Sequence, residues 1–399
     1  MKTNQREKNI PLGWQQVKLA DVVSFLDNKR IPIESDERSM RKGIYPYYGA
    51  SGIIDYINDY IFDGEFILLG EDGANIIDRS SRLAFLVKGK IWVNNHAHVF
   101  QARESIRAYF LSEYLESLNY EKFNTGSAQP KLNRSVCEKI PVLLPPLPEQ
   151  NRIVSVLETW DKTIEKLAQK IEVKKQIKKG LMQDLLTGKK RLSGFSDKWE
   201  LVKLGKIATF KKGKGLPKSE LNSNGEYEAI HYGELFTKYN EYIETVKNRT
   251  NSNKGMFMSK KNDILMPTSD VTPRGLSTAS YINKDGVVLG GDILVIRSNG
   301  SLNGLFFCYL VNLNKKDVIK LVSGSTVFHL YGSDMAKFEL KLPPIKEQES
   351  IVKILLTSDK EITELEKKLS IIKDQKKYLL NNLITGTIRT PETLSANLT

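Results

Sequence analysis

The chain repeats itself. The segment from Leu144 to Arg191, LPPLPEQNRIVSVLETWDKTIEKLAQKIEVKKQIKKGLMQDLLTGKKR, returns from Leu342 to Arg389 as LPPIKEQESIVKILLTSDKEITELEKKLSIIKDQKKYLLNNLITGTIR, without a gap, at an offset of 198 residues. Pro145/Pro343, Glu149/Glu347, Gln150/Gln348, Asp161/Asp359, Lys178/Lys376 and Gly188/Gly386 are among the identities. Upstream, Trp14-x-x-Val17-Lys18-Leu19 matches Trp199-x-x-Val202-Lys203-Leu204 at an offset of 185, so the second half holds 13 more residues between shared ends. A repeat of this length restricts the fold to two like halves, each framed the same way. Between the frames the halves resemble each other only faintly, as at Gly126-Ser127 and Gly324-Ser325.

Each LPP-x-x-EQ segment opens a helix. The prolines end a strand, and Glu149 and Glu347 sit near the positive helix N-terminus. Thr187-Gly188 and Thr385-Gly386 mark the ends, where glycine supplies the left-handed position. About 38 residues lie between, roughly 57 Å of helix. Ile153, Leu157, Trp160, Ile164, Leu167 and Ile171 form a 4-3-4-3 seam, continued by Leu181 and Leu185. Ile351, Leu355, Ile362, Leu365, Leu369 and Ile372 form the second, continued by Leu379 and Leu383. A lone helix cannot bury a heptad seam. Two seams in one chain pair most simply with each other, and antiparallel pairing gives an approximate two-fold repeat with a variable domain at either end of a rigid spacer. Parallel pairing, or pairing with another subunit's helices, is the alternative that spacing alone leaves open. Lys174, Lys178 and Lys376 interrupt the seams, which predicts that part of the stripe ends against another surface.

The variable segments read as short strands divided by Gly, Asp and Asn turns. Ile53–Ile57, Phe66–Leu69 and Leu83–Val87 are strands of the first half; Asp263–Met266, Val287–Leu289 and Ile293–Ile296 are strands of the second. Ser105–Leu118 has helical spacing. The fold class is therefore α+β: two variable domains joined by two long antiparallel coiled-coil helices in a pseudo-two-fold internal repeat. The expected boundaries are 1–146 and 191–344 for the variable domains, 147–190 and 345–389 for the helices, and 390–399 for a tail.

Sixty Lys+Arg against 47 Asp+Glu leave a net charge of +13 over 399 residues, which favours an anionic partner, nucleic acid or a membrane surface. The excess is uneven: 19 basic against 18 acidic residues over 1–144, but 11 against 6 over 145–191 and 21 against 15 over 192–344. No apolar run reaches the length of a membrane span, and the apolar stripes are heptad seams rather than basic amphipathic faces, so a membrane is not the expected partner. Met1–Ile10 lacks the apolar core of a secretory signal. Cys137 and Cys308 are far apart and exclude a disulfide framework and a cysteine zinc site. A reducing, cytoplasmic setting is expected. One basic cluster, Lys211-Lys212-Gly213-Lys214, follows a strand where glycine lets backbone approach phosphate. The other, Lys174-Lys175-x-x-Lys178-Lys179, reads equally as a solvated helix face.

These features resemble the specificity subunits of type I restriction–modification systems. The carriers are the two LPP-x-x-EQ helices, the two T-G helix ends, RLSGFSDKWELVKLG at 191–205, and a G-S-x-x-x-x-L element, Gly126–Leu132 and Gly324–Leu330, before each LPP. The likeness runs from Trp14 to Arg389. The second G-S element fits more cleanly than the first, where Gln129 and Pro130 stand. The resemblance implies that each variable domain is a target recognition domain reading one half of a bipartite, asymmetric site in double-stranded DNA. It implies that the paired helices fix the spacer and dock two methyltransferase subunits, and that two restriction/translocase subunits complete the complex. S-adenosylmethionine would belong to the methyltransferase, ATP and Mg to the restriction subunit, and no cofactor or catalytic centre to this chain.

Catalytic patterns argue the same way. Gly180–Lys190 is not a phosphate loop, because Gly188 ends a helix and Lys190 stands where a hydroxyl is needed. Pro145-Pro146 lacks the flanking residues of an adenine methyltransferase motif. Asp334 with Glu339-x-Lys341 is too closely spaced for a nuclease metal site. His96-x-His98 has no third ligand in view, and a structural role is expected. Direct readout uses Arg or Lys, Asn or Gln, and small hydroxyls. In the first half the candidate DNA-reading residues are Tyr47, Tyr48, Ser51, Asp72, Asn75, Arg79, Ser127, Gln129 and Lys131. In the second they are Lys212, Lys214, His231, Tyr232, Thr268, Ser269, Thr272, Arg274, Ser325 and Thr326. The competing function is a coiled-coil protein-interaction scaffold, which explains the heptads but not two divergent domains in identical frames.

Overall fold

The computed structural model describes residues 10–394. Residues 1–9, most of the segment read as lacking a secretory signal, and 395–399, the end of the tail, lie outside the described residues. The chain forms two compact units, residues 1–168 with 368–399, and residues 169–367. Each is α+β.

In the first unit, β1 (Gln15–Lys18), β2 (Val23–Phe25), β3 (Lys42–Gly49), β4 (Gly52–Ile57), β5 (Phe62–Gly70), β6 (Ala84–Val93), β7 (Ala97–Ala102) and β8 (Pro141–Leu144) are strands. Six form one sheet in the order β2-β7-β5-β6-β3-β4. β5 runs FDGEFILLG, and its apolar end is buried on both faces, between the helix Ala108–Glu116 on one side and a second apolar cluster on the other. β1 and β8 form a separate antiparallel pair, Gln15 opposite Leu144 and Lys18 opposite Pro141. The two framing motifs are thus hydrogen-bonded neighbours, and everything between them is one closed domain.

The second unit continues with β9 (Glu200–Lys203), β10 (Ala208–Lys212), β11 (Tyr227–Ile230), β12 (Tyr242–Ile243), β13 (Asn248–Thr250), β14 (Phe257–Met258), β15 (Asp263–Pro267), β16 (Ser269–Asp270), β17 (Ser280–Ile282), β18 (Val288–Leu289), β19 (Ile293–Ser298), β20 (Phe328–His329) and β21 (Glu339–Leu342). Its central sheet has the order β10-β19-β15-β17-β12, beside a four-stranded sheet β13-β11-β18-β14 and a ribbon β16-β20. β9 and β21 repeat the framing pair, Glu200 opposite Leu342 and Lys203 opposite Glu339. The apolar helix Gly304–Leu313 fills the core against β15 and β17, and Asn303 caps it by accepting from Leu305 N–H and Phe306 N–H.

The long helices span Leu147–Leu186 and Ile345–Ile384, 40 residues each, or about 60 Å. Gly188 and Gly386 both take φ of +70°, as a left-handed helix end requires. Each helix gives one part to each unit, and within each unit the two parts run antiparallel. In the first, Glu149 meets Arg389 and Asp161 meets Lys376. In the second, Lys174 meets Glu361, Lys178 meets Asp359 and Arg191 meets Glu347. Ile153 and Leu157 are fully buried with Leu383 and Ile384, and Ile351 and Leu355 with Leu185 and Leu186. Each such side chain contributes about 1.5–3 kcal/mol by leaving water. Ile171 and Ile362 are also buried, whereas Trp160, Ile164, Leu167, Leu365, Leu369 and Ile372 are half-buried.

Lys174, Lys178 and Lys376 do not end the seam against another surface. All three are ion-paired across the helix pair, Lys178 to Asp359 and Lys376 to Asp161 at 2.5 Å each. The two aspartates also accept from the core helices, from Tyr109 and Tyr309. A lysine is tolerated on an apolar stripe here because its charge meets a carboxylate while its stem covers the seam.

Candidate nucleic-acid interface

The frame that holds each variable domain is built from the EQ of LPP-x-x-EQ. Glu149, at the start of its helix, accepts from the Trp14 indole N–H at 3.0 Å and from the Arg389 guanidinium at 2.5 and 2.7 Å. Glu347 accepts from Trp199 at 3.1 Å and Arg191 at 2.6 and 2.7 Å. Burial alone would raise the Glu149 pKa, but Arg389 and Trp14 hold it below the usual carboxylate range. Gln150 accepts from Arg107 N–H and donates to the Ser105 and Pro145 carbonyls, and Gln348 does the same with Asn303, Ser301 and Pro343. Trp14 packs edge-on to Phe110, and Trp199 edge-on to Phe306. Each motif residue thus ties a helix start, a strand and a core helix into one rigid corner.

On this frame the first unit gathers loops 49–52, 70–74, 94–96 and 126–131. Glu71 N–H donates to His96 O, Gly73 N–H to Pro130 O, and Leu132 N–H to Glu71 O. Asp72 pairs with His96 at 2.9 Å and forms a backbone bridge with Lys131, whose ammonium lies 3.5 Å from Glu71. Ser51, Ser127, Gln129 and Lys131 are exposed there. Gly126 permits the turn, since a Cβ would lie 1.8 Å from Gln129 O. Unlike Gly324, at φ +111°, Gly126 is not left-handed. Tyr48 is half-buried against Phe85, and burial raises its pKa.

Three first-half candidates are engaged within their own unit instead. Tyr47 is 1% exposed, with its hydroxyl bonded to Ile33 and Arg38 over its ring. The aromatic run YPYY alternates faces on β3, which puts Tyr47 in the core. Arg79, in the left-handed region, is bonded to Glu116 and covers Tyr120. Asn75 accepts from Ser81 N–H and so closes its own loop. His98 is also structural: Nδ1 meets Asp27 at 2.8 Å and Nε2 meets Leu132 O at 2.7 Å, whereas His96 lies in the preceding turn.

In the second unit the candidates fall on one connected surface. Gly290 N–H donates to the carbonyl of Ile230, the neighbour of His231, and Gly290 forms a bridge with Lys214. Lys212 is paired to Asp292 at 2.9 Å, and Asp292 O accepts from Thr268 N–H. Thr268 is 7% exposed and contributes backbone rather than side chain. Ser269 is opposite His329 in the ribbon, beyond which Ser325 and Thr326 are exposed on a five-residue loop. The His231 ring is tilted against that of Tyr232, with centroids 4.6 Å apart. Thr272 caps the turn Pro273–Leu276, accepting from Gly275 N–H. Arg274 is exposed and makes no ion pair among the described residues. A cleft of about 370 Å³ holds Lys211 of the basic cluster and adds His329 and Tyr331, which were not among the candidate DNA-reading residues. Their signal was position, at the end of the G-S-x-x-x-x-L element.

This surface offers lysine and arginine for phosphate, and hydroxyl and guanidinium groups for base edges. Among the described residues no helix is long and apolar enough to cross a membrane.

The comparisons with known proteins agree on one family. The family model of the type I restriction modification DNA specificity domain matches twice, over residues 11–175 and 196–373. A type I restriction enzyme specificity subunit sequence from Haemophilus influenzae is 31% identical over 338 residues, 84% of this chain and 85% of that protein. The MjaVIII specificity subunit of Methanocaldococcus jannaschii is 24% identical over 95% of this chain and 94% of its own length. Among solved structures, the S subunit of a type I system from M. genitalium has the same fold, with a TM-score of 0.61 at 17% identity over 96% of this chain and 98% of that one. A chain from a structure of type I system assembly gives 0.57 at 18% identity, covering 95% and 99%. With the framing corner repeated in both units and the doubled family match, the chain belongs to the specificity subunits of type I restriction–modification systems.

Proposed function

We propose that each unit reads one half of a bipartite, asymmetric site in double-stranded DNA, and that the two continuous helices set the spacer between the halves. The chain carries no catalysis of its own. It positions two methyltransferase subunits, which bring S-adenosylmethionine and act on adenine, and two restriction/translocase subunits, which bring ATP and Mg, in the cytoplasm. The observation that supports this reading is the recurrence of one framing corner, Trp–Glu–Arg with its neighbouring Gln, around two unlike loop sets. Conserved mechanics with divergent tips is what two readers of two sequences require. Partner enzymes would have to flip the adenine from the stack.

The test exchanges loops 268–274 and 323–329 for those of another family member and maps methylation in cells carrying the partner subunits. One half of the recognised site changes and the other is retained. Change in both halves, or in neither, contradicts the proposal.

A further inference from the structure

Each unit ends its recognition sheet in the same small device. In the first, Thr125 N–H donates to Lys131 O at 2.8 Å, Leu132 N–H to Glu71 O at 2.7 Å, and Asp72 bridges Lys131. In the second, Ser323 N–H donates to His329 O at 3.0 Å, Leu330 N–H to Thr268 O at 3.1 Å, and Ser269 pairs with His329. These bonds equate Asp72 with Ser269 and Lys131 with His329. Asp270 is opposite Phe328 at the end of the ladder, and Val271 and Val327 are the residues that flank that last pair. The residues at the equivalent places in the first unit are Ala74 and Gln129.

Val271 and Val327 are 72% and 44% exposed. Exposed valines at a ribbon end do nothing for the core, and here they lie two and three residues from His329 and Arg274 in the chain, His329 lining the same cleft as Lys211 and Lys212. A basic collar around an apolar tip complements a duplex groove, with phosphate at the rim and, in the major groove, the thymine C5-methyl as the apolar group on a base edge. A two-stranded ribbon is narrow enough to enter that groove. We infer that the Val271–Val327 pair reads a thymine methyl in the half-site of the second unit. This rests on that unit being a DNA reader. The first unit carries the Gln129 amide in place of Val327, so one scaffold presents different chemistry to each half-site.

The experiment uses the complete methyltransferase complex on its mapped site, with each thymine of the second half-site replaced in turn by deoxyuridine, which removes only the methyl. One position should bind roughly three- to five-fold more weakly, the scale of one buried methyl. The Val271→Ala/Val327→Ala variant should weaken thymine binding by a similar factor and no longer distinguish thymine from uracil there. Both valines are exposed, so the fold tolerates the change. A half-site without thymine, no methyl-sensitive position, or a variant that still discriminates overturns the inference. A complex with no sequence preference overturns the underlying reading as well.

Discussion

Glu149 and Glu347 have the same neighbours in different sequence surroundings. Their carboxylates are almost without solvent exposure, 4% and 0%. Removing one leaves an indole N–H and a partly exposed guanidinium without their shared carboxylate. Glu149→Ala is expected to lower the stability of the first unit by about 2–4 kcal/mol, read as loss of hydrogen-exchange protection in β1 and β8 while β9 and β21 keep theirs. His98 adds a pH dependence. Burial opposes its charge, but the Asp27 carboxylate outweighs burial and pushes the imidazole up to about 10. A raised pKa stabilises the folded state fully below the unfolded value near 6.5 and is lost as pH rises towards 10. The thermal midpoint should therefore fall over that window, and the fall should be smaller in His98→Gln. At the reading surface, Arg274→Ala should cost about 1–3 kcal/mol of binding or relax one base position, with complex assembly intact. Unchanged affinity and preference in a gel shift would remove Arg274 from the readers. Residue chemistry alone separated these cases poorly: Tyr47, Arg79 and Asn75 have the right groups for reading DNA, but alternation along β3 and the carboxylate of Glu116 engage two of them within their own unit.

The elements were more legible. The heptads of both long helices, their glycine ends and the central strands follow from periodicity, because each depends on neighbours close in sequence. The pairing of β1 with β8 and of β9 with β21 depends on partners more than 100 residues apart, which no local pattern encodes. Lys178 and Lys376 were misleading for the same reason: their partners, Asp359 and Asp161, lie on the other helix. These pairs are half-exposed, so Lys376→Ala should cost only about 0.5–1 kcal/mol. A double-mutant cycle with Asp161→Ala measures the coupling, and a value near zero would assign the seam wholly to its apolar residues.

For the whole molecule, the repeat decides more than composition does. The net charge of +13 is modest and lies mainly in the first long helix and second variable segment, which suits a subunit that shares its duplex with partners. Affinity should still fall steeply with salt through released phosphate counterions. A protein-only scaffold would show no such slope. The most direct measurement is methylation-aware sequencing of DNA from cells that express this chain with its methyltransferase partner. The predicted result is a single split motif, two unlike halves at one fixed spacing, that disappears when this chain is removed. An uninterrupted motif, two identical halves, or methylation that persists without the chain would contradict the account.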